Sequence, residues 1–209
     1  MIIYVIKCRC ADYFNLIQLL PHDIRHILNN FQQESDKKTH LLSYLLKTYF
    51  TLGKGWYVNE FGKPMSNIYN NWFNISHVDN YVIGCMSYTG SVGIDISMLK
   101  PIQNIFDFRS CFTDKEWKII YADSTLILIY EWWTKKESFF KYLGTGLTID
   151  PSTVEILPDT TILFNNIKLH DVHILTKWIN KSHVCSVCLP YDESIEFSSI
   201  DENVLFDLI

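Results

Sequence analysis

Residues 131 to 146 read Glu-Trp-Trp-Thr-Lys-Lys-Glu-Ser-Phe-Phe-Lys-Tyr-Leu-Gly-Thr-Gly and leave little choice of local structure. At 100° per residue, Ile129, Trp132, Trp133, Phe139, Phe140 and Leu143 fall in one broad apolar arc, which predicts a helix with that arc in the core. Gly144 is placed to take the left-handed conformation that closes the last turn, with Gly146 behind it. Glu137 and Lys141 are four apart, so they share a face just beyond the Trp133 edge, half out of the core and half toward a cleft. As a solvated pair they contribute only about 0.3–0.5 kcal/mol; as a carboxylate and an amine lining a cleft they carry chemistry. This stretch alone leaves both readings open. Lys136 lies inside the apolar arc, where a lysine must either snorkel outward or pair with a buried acid.

The rest of the chain supplies partners for that helix. Ile2 to Lys7 is a β-branched run and predicts a first strand. Pro21 sits where a first helical turn tolerates proline, with Ile24, Ile27, Leu28 and Phe31 following at helical spacing. A longer helix is predicted from about Asp36 to Phe50, with Leu41, Leu42, Leu45, Leu46 and Tyr49 on one stripe and Lys37, Lys38 and Lys47 on its polar side. Tyr81 to Tyr88 and Val92 to Ser97 read as strands, and in the second the alternation separates Ile94 and Ile96 from Asp95 and Ser97. An aspartate between isoleucines works against β-propensity; it is either an edge-strand gatekeeper or a carboxylate held for a partner such as a metal. Thr113 and Glu116 have the spacing of a capping box and predict a helix start. Leu147–Ile149, Val154–Leu157, Thr161–Leu169, Val172–Lys177 and Val184–Leu189 read as short strands separated by Asp-Pro, Pro-Asp and Asn-Lys turns. The pattern is α+β with antiparallel strands in each half, not alternating βαβ. No linker separates the halves, so residues 1–90 and 91–209 are expected to pack as one globule.

With 48% hydrophobic and 15% aromatic residues, a chain of 209 residues has ample material for a core. Its net charge of −5, from 18 basic and 23 acidic residues, and the lack of a basic track argue against nucleic acid as a partner. The apolar start, Ile2 to Ile6, is far below the roughly 18 residues of a membrane span and has no basic region before it, which points to a cytoplasmic protein without a membrane partner. The six cysteines are scattered, so reduced thiols are the expectation. His183, Cys185 and Cys188, with His170 and His173 nearby, suggest zinc only weakly: the segment reads as a strand, with its cysteines as small apolar residues.

Several segments acquire meaning together: Gly62-Lys63-Pro64; Phe73, Asn74, Ile75, Ser76, His77; Gly93, Ile94, Asp95, Ile96; Phe112, Thr113 and Glu116; and Trp133 through Lys136, Glu137, Lys141, Gly144, Gly146 and Leu147. In this order they resemble the motifs of surfactin-type 4′-phosphopantetheinyl transferases, over roughly residues 21 to 190. The resemblance implies two similar α+β halves, each a small antiparallel sheet with helices, related by a pseudo-twofold, with coenzyme A in the cleft between them. The implied reaction moves the phosphopantetheine arm of coenzyme A onto a serine of an acyl or peptidyl carrier protein and releases adenosine 3′,5′-bisphosphate. Attack on a crowded anionic phosphorus calls for a divalent cation, a cationic side chain and a base. By resemblance, Asp95 and Glu137 are the Mg²⁺ ligands, Glu137 also takes the serine proton, and Lys141 contacts the pyrophosphate. Ser76 and His77 hold coenzyme A phosphates, and Lys63 lies beside its nucleotide.

Two departures stand out. Where the family often has a further acid after Gly-Ile-Asp-Ile, this chain has Ser97, so water is expected to complete the metal shell. Where many members carry basic residues after the helix-opening proline and on the long helix, this chain offers Asp23 and His26, then Lys38, Thr39 and His40. His26 and Lys38 are therefore the candidates for the ribose phosphate. The expectation is an active monomer; the rival is a catalytically weakened module of the same fold that binds coenzyme A or a carrier protein.

Overall fold

The computed structural model describes residues 1–9, 13–190 and 195–208. The first half runs β1 (Ile2–Lys7), α1 (Tyr13–Leu19), α2 (His22–Asn29), α3 (Glu34–Phe50), the hairpin β2 (Trp56–Val58) and β3 (Pro64–Ser66), β4 (Trp72–Val78) and β5 (Tyr81–Ser87). The second begins with β6 (Gly93–Met98), a 3-10 segment at Ile105–Cys111, α4 (Asp114–Ala122) and α5 (Ile127–Leu143). It continues through β7 (Val154–Ile156), β8 (Ile162–Phe164), β9 (Ile167–Lys168), β10 (Val172–Asn180), β11 (His183–Pro190), β12 (Glu196–Ser199) and α6 (Glu202–Phe206).

One pattern occurs twice. In the first half β1 is followed by a long helix and then a hairpin, giving the strand order β1-β5-β4; in the second, β6, α5 and the hairpin β10-β11 give β6-β11-β10. The fold is α+β, and its strand pairs are antiparallel except that β12 runs parallel to β1 on that strand's outer edge. Alternation along each strand divides the core. Ile3, Ile83, Ile94 and Val187 pack sheet against sheet, whereas Ile6 and Val82 face the Leu41, Leu42, Leu45, Leu46 and Phe50 stripe of α3. Phe139 and Phe140 of α5 pack on Ile174 and Cys188 and on the small β7–β9 sheet.

The helices start and stop as the sequence implies. The Thr113–Glu116 capping box is complete in both directions, Pro21 precedes α2, and Gly144 closes α5 at φ 75°. Two expectations need correction. Gly146–Thr148 forms a 3-10 turn where a strand was expected at 147–149, and the run 161–169 is split because Asn165 and Asn166 both take left-handed backbone. Helix α1, strand β12 and helix α6 have no counterpart in the sequence reading. Among the described cysteines Cys111, Cys185 and Cys188 are free thiols; Cys10 lies outside the described residues. Cys185 and Cys188 are buried in β11, and burial pushes the Cys185 thiol up to about 12. No described helix is long and apolar enough to cross a membrane.

Candidate active site

The site forms where the edge strand β4 of the first sheet lies beside β6 of the second, beneath α5. Gly93 makes that approach possible: a Cβ there would collide with the Ser138 carbonyl and the Tyr142 amide of α5. With β6 pressed on the helix backbone, Asp95, two residues along on the same face, comes within reach of Lys141. The Lys141 Nζ lies 2.6 Å from Asp95 Oδ1 and also donates to Ser76 Oγ at 2.9 Å, and the Ser76 hydroxyl donates to the same Asp95 oxygen at 2.9 Å. Asn74, on the Ser76 face of β4, accepts from the Ile94 amide at 2.9 Å and ties the two edges together. These contacts answer the question left open at Asp95: it is no gatekeeper on a solvated edge but a buried carboxylate with two donors on one oxygen.

Glu137 stands one turn before Lys141, half-buried, and the two do not pair with each other. Lys141 has turned to Asp95. Among the described residues nothing hydrogen-bonds or ion-pairs with the Glu137 carboxylate or with Asp95 Oδ2. Burial first, then the Asp95 charge, pushes Glu137 above the usual carboxylate range, while Lys141 pulls in the opposite direction. Two hard carboxylates whose charges repel each other are a donor set that suits Mg²⁺. No group of three or more His, Cys, Asp or Glu side chains capable of holding a metal occurs among the described residues, so protein ligation would rest on this pair, with water completing the shell. Ser97 is half-buried two residues further along the same face of β6.

On its other face β4 meets α3. His77 packs edge-on against His40 with ring centroids 5.0 Å apart, and His40 stacks on Phe31 at 4.1 Å. Lys47, two turns along α3 from His40, lies over the Trp56 ring. Desolvation, then the charges of His40, Lys141 and Lys47, pull the His77 imidazole below its ordinary range; desolvation and Lys47 do the same to His40. Two imidazoles beside the Lys47 cation form a surface on which a bound polyanion would favour protonation. Lys47 and Asn74 had no role in the sequence reading, although Asn74 is legible in retrospect as the residue two before Ser76 on one strand face.

The remaining expected contacts lie elsewhere. The Lys63 ammonium points inward, donating to Ser91 Oγ, the Val92 carbonyl and the Tyr142 carbonyl at 2.9–3.2 Å, and burial brings its pKa down to about 8. It ties the β2–β3 hairpin to the end of α5 and borders a cavity of about 210 Å³ shared with Phe61, Asn74, Lys141, Gly144 and Gly146. Lys38 lies over the Tyr13 ring at 4.8 Å, about 200° around α3 from His40, and so is not brought to the His77 cluster. His26 lines a separate small cavity with Gln18, His22, Arg25 and Asn29.

Comparison with known proteins identifies the family. The profile of the 4′-phosphopantetheinyl transferase superfamily matches residues 91–188, the segment that contributes Asp95, Glu137 and Lys141. The chain is 31% identical over 156 residues to the 4′-phosphopantetheinyl transferase Sfp of Bacillus subtilis, covering 68% of this chain and 67% of that one. It is 30% identical over 135 residues to the transferase gsp of Aneurinibacillus migulanus, covering 62% and 56%. A further match is the L-aminoadipate-semialdehyde dehydrogenase-phosphopantetheinyl transferase of Candida glabrata, 24% identical over 205 residues, 86% of this chain and 77% of that one. The chain belongs to the 4′-phosphopantetheinyl transferase superfamily, and within it to the Sfp-type enzymes.

Proposed function

We propose that this chain transfers the 4′-phosphopantetheine arm of coenzyme A to a serine hydroxyl of an acyl or peptidyl carrier protein, with Mg²⁺, as a cytoplasmic monomer. The observation that carries the proposal is the Lys141–Asp95–Ser76 cluster beside a Glu137 carboxylate that has no hydrogen-bond or ion-pair partner among the described residues. The cleft between residues 1–90 and 91–209 is the place for coenzyme A. Lys47 presents a cation, and His77 and His40 imidazole nitrogens, to its phosphates, while Lys63 and Asn74 fix the walls.

The serine oxygen forms a bond to the phosphorus that carries the pantetheine arm, the pyrophosphate P–O bond breaks, and adenosine 3′,5′-bisphosphate departs. Glu137, whose pKa burial and the Asp95 charge raise above the usual carboxylate range, takes the serine proton directly or through a water. Lys141 stands where negative charge accumulates during transfer. Mg²⁺ held by Asp95 and Glu137 would supply Lewis-acid neutralisation of the phosphoryl oxygens.

The test is incubation of the protein with coenzyme A, Mg²⁺ and several apo carrier proteins, read by intact mass. Addition of the phosphopantetheine mass to a carrier supports the proposal. Tight binding of coenzyme A or carrier with no addition, with or without Mg²⁺, would favour the binding-module reading.

A further inference from the structure

A second ion pair sits on α5, on the side away from the cleft. Lys136 and Glu116 are 0% and 1% exposed, with Nζ 2.8 Å from Oε2. The pair has no loose end. Lys136 also donates to the Pro151 carbonyl at 2.7 Å and the Val154 carbonyl at 2.5 Å, which uses all three of its donors. Glu116 accepts from the Thr113 amide through Oε2 and from the Ile156 amide through Oε1, both at 2.8 Å. One buried network thus joins the start of α4, the turn before β7, β7 itself and the middle of α5.

Stability is a poor explanation for such a pair. Removing two charges from water costs several kcal/mol each, and well-packed apolar side chains of similar size often serve as well or better. What the network provides is a fixed rotation of α5 about its own axis. Lys136 and Glu137 are neighbours, separated by about 100° around the helix, so pinning the one sets the direction of the other. At the other end, Ser91 Oγ donates to the Tyr142 carbonyl at 2.6 Å and Asn59 Nδ2 to the Gly144 carbonyl at 2.9 Å, fixing α5 along its length.

We propose that Glu116 and Lys136 are positioning residues for the transfer reaction: their buried network sets the roll of α5 that turns Glu137 and Lys141 toward Asp95. This rests on the function proposed above, and its test keeps the two separable. The variant is the double substitution Glu116→Met with Lys136→Met, which leaves no unpaired buried charge; Glu116→Gln alone removes the charge, keeps one of the two acceptor oxygens and serves as the conservative control. The double variant is expected to melt within a few degrees of the wild type and to bind coenzyme A with a KM within about twofold. Its kcat is expected to fall about 10²-fold, the cost of misplacing a reacting group by roughly 1 Å. Its crystal structure should show the 2.6 Å Lys141–Asp95 contact lengthened, with Glu116→Gln intermediate in kcat. Wild-type kcat, or a loss of kcat matched by a rise in KM and a fall in melting temperature, overturns the inference. If the wild-type chain transfers nothing, the function falls, and the crystallographic contact alone decides: intact in the double variant, it overturns the positioning role.

Discussion

The two halves share one plan and put it to different uses. In the first, α3 lies on β1-β5-β4 through an almost wholly apolar stripe, and Gly84 beneath it meets only the flexible ends of Leu46 and Phe50. In the second, α5 lies on β6-β11-β10 with Thr134, Lys135, Lys136 and Ser138 buried among its aromatics, and Gly93 presses against helix backbone. The difference teaches where this fold places its chemistry. On the function proposed above, the half that repeats the plan in plain hydrophobic terms would contribute an anion-facing wall, and the half that complicates it the reacting groups.

The comparison breaks most decisively at Glu137. Glu137→Gln should lower single-turnover transfer about 10³-fold. Because burial and Asp95 raise this carboxylate, the folded state binds its proton more tightly than the unfolded chain. The stabilisation is therefore full below the ordinary carboxylate pKa and disappears as pH rises through the folded value. At pH 7 the ionised group is a cost, so the glutamine variant should melt higher than the wild type without metal. A lower melting temperature would show that Glu137 has a structural partner.

The glycines test the packing side of the contrast. Gly93→Ala should cost about 3 kcal/mol in denaturant unfolding because helix backbone cannot yield, whereas Gly84→Ala should cost about 1 kcal/mol as Leu46 and Phe50 move aside. Equal costs would mean that both helices yield alike. On the binding wall, His40→Gln should weaken coenzyme A about tenfold by calorimetry with little change in kcat, and Lys38→Ala should change affinity less than twofold. The reverse order would place the phosphate contacts on the α1 side of α3.

A pH-dependent effect is expected at Lys63, whose pKa burial lowers to about 8 from about 10.5. Its desolvation cost is present below pH 8 and is relieved as pH rises toward 10.5, since the unfolded chain then holds the extra proton. Measured by urea unfolding, the wild type should gain on Lys63→Met over that window by at most about 1.4 kcal/mol per pH unit. A pH-independent difference would mean that the amine is solvated.

Local signals in the chain were faithful. The α5 arc, the capping box at Thr113, the Gly144 stop and the awkward Asp95 were legible because each depends on near neighbours or on one side chain at odds with its surroundings. What escaped was long-range pairing. Nothing near Lys141 indicates that it turns away from Glu137 to Asp95 and Ser76, and nothing near Lys63 indicates that its amine is enclosed by carbonyls from two other segments. The Glu116 partner of Lys136 is likewise a matter of fold. The reading that Lys136 pairs with a buried acid was available from the helical wheel; the acid itself was not. Strand β12 was missed because four residues with one pairing edge leave almost no periodic signature.

That short strand also governs how the molecule can be made. Ile2 to Val5 pair with Glu196 through Ser199, so β1 is flanked on both edges only after nearly two hundred further residues have been made. During synthesis the edge of β1 remains an open template, and closing so long a loop is entropically slow. A nascent chain stalled after β11 should therefore be sticky and in need of chaperones although Asp95, Glu137 and Lys141 are already synthesised.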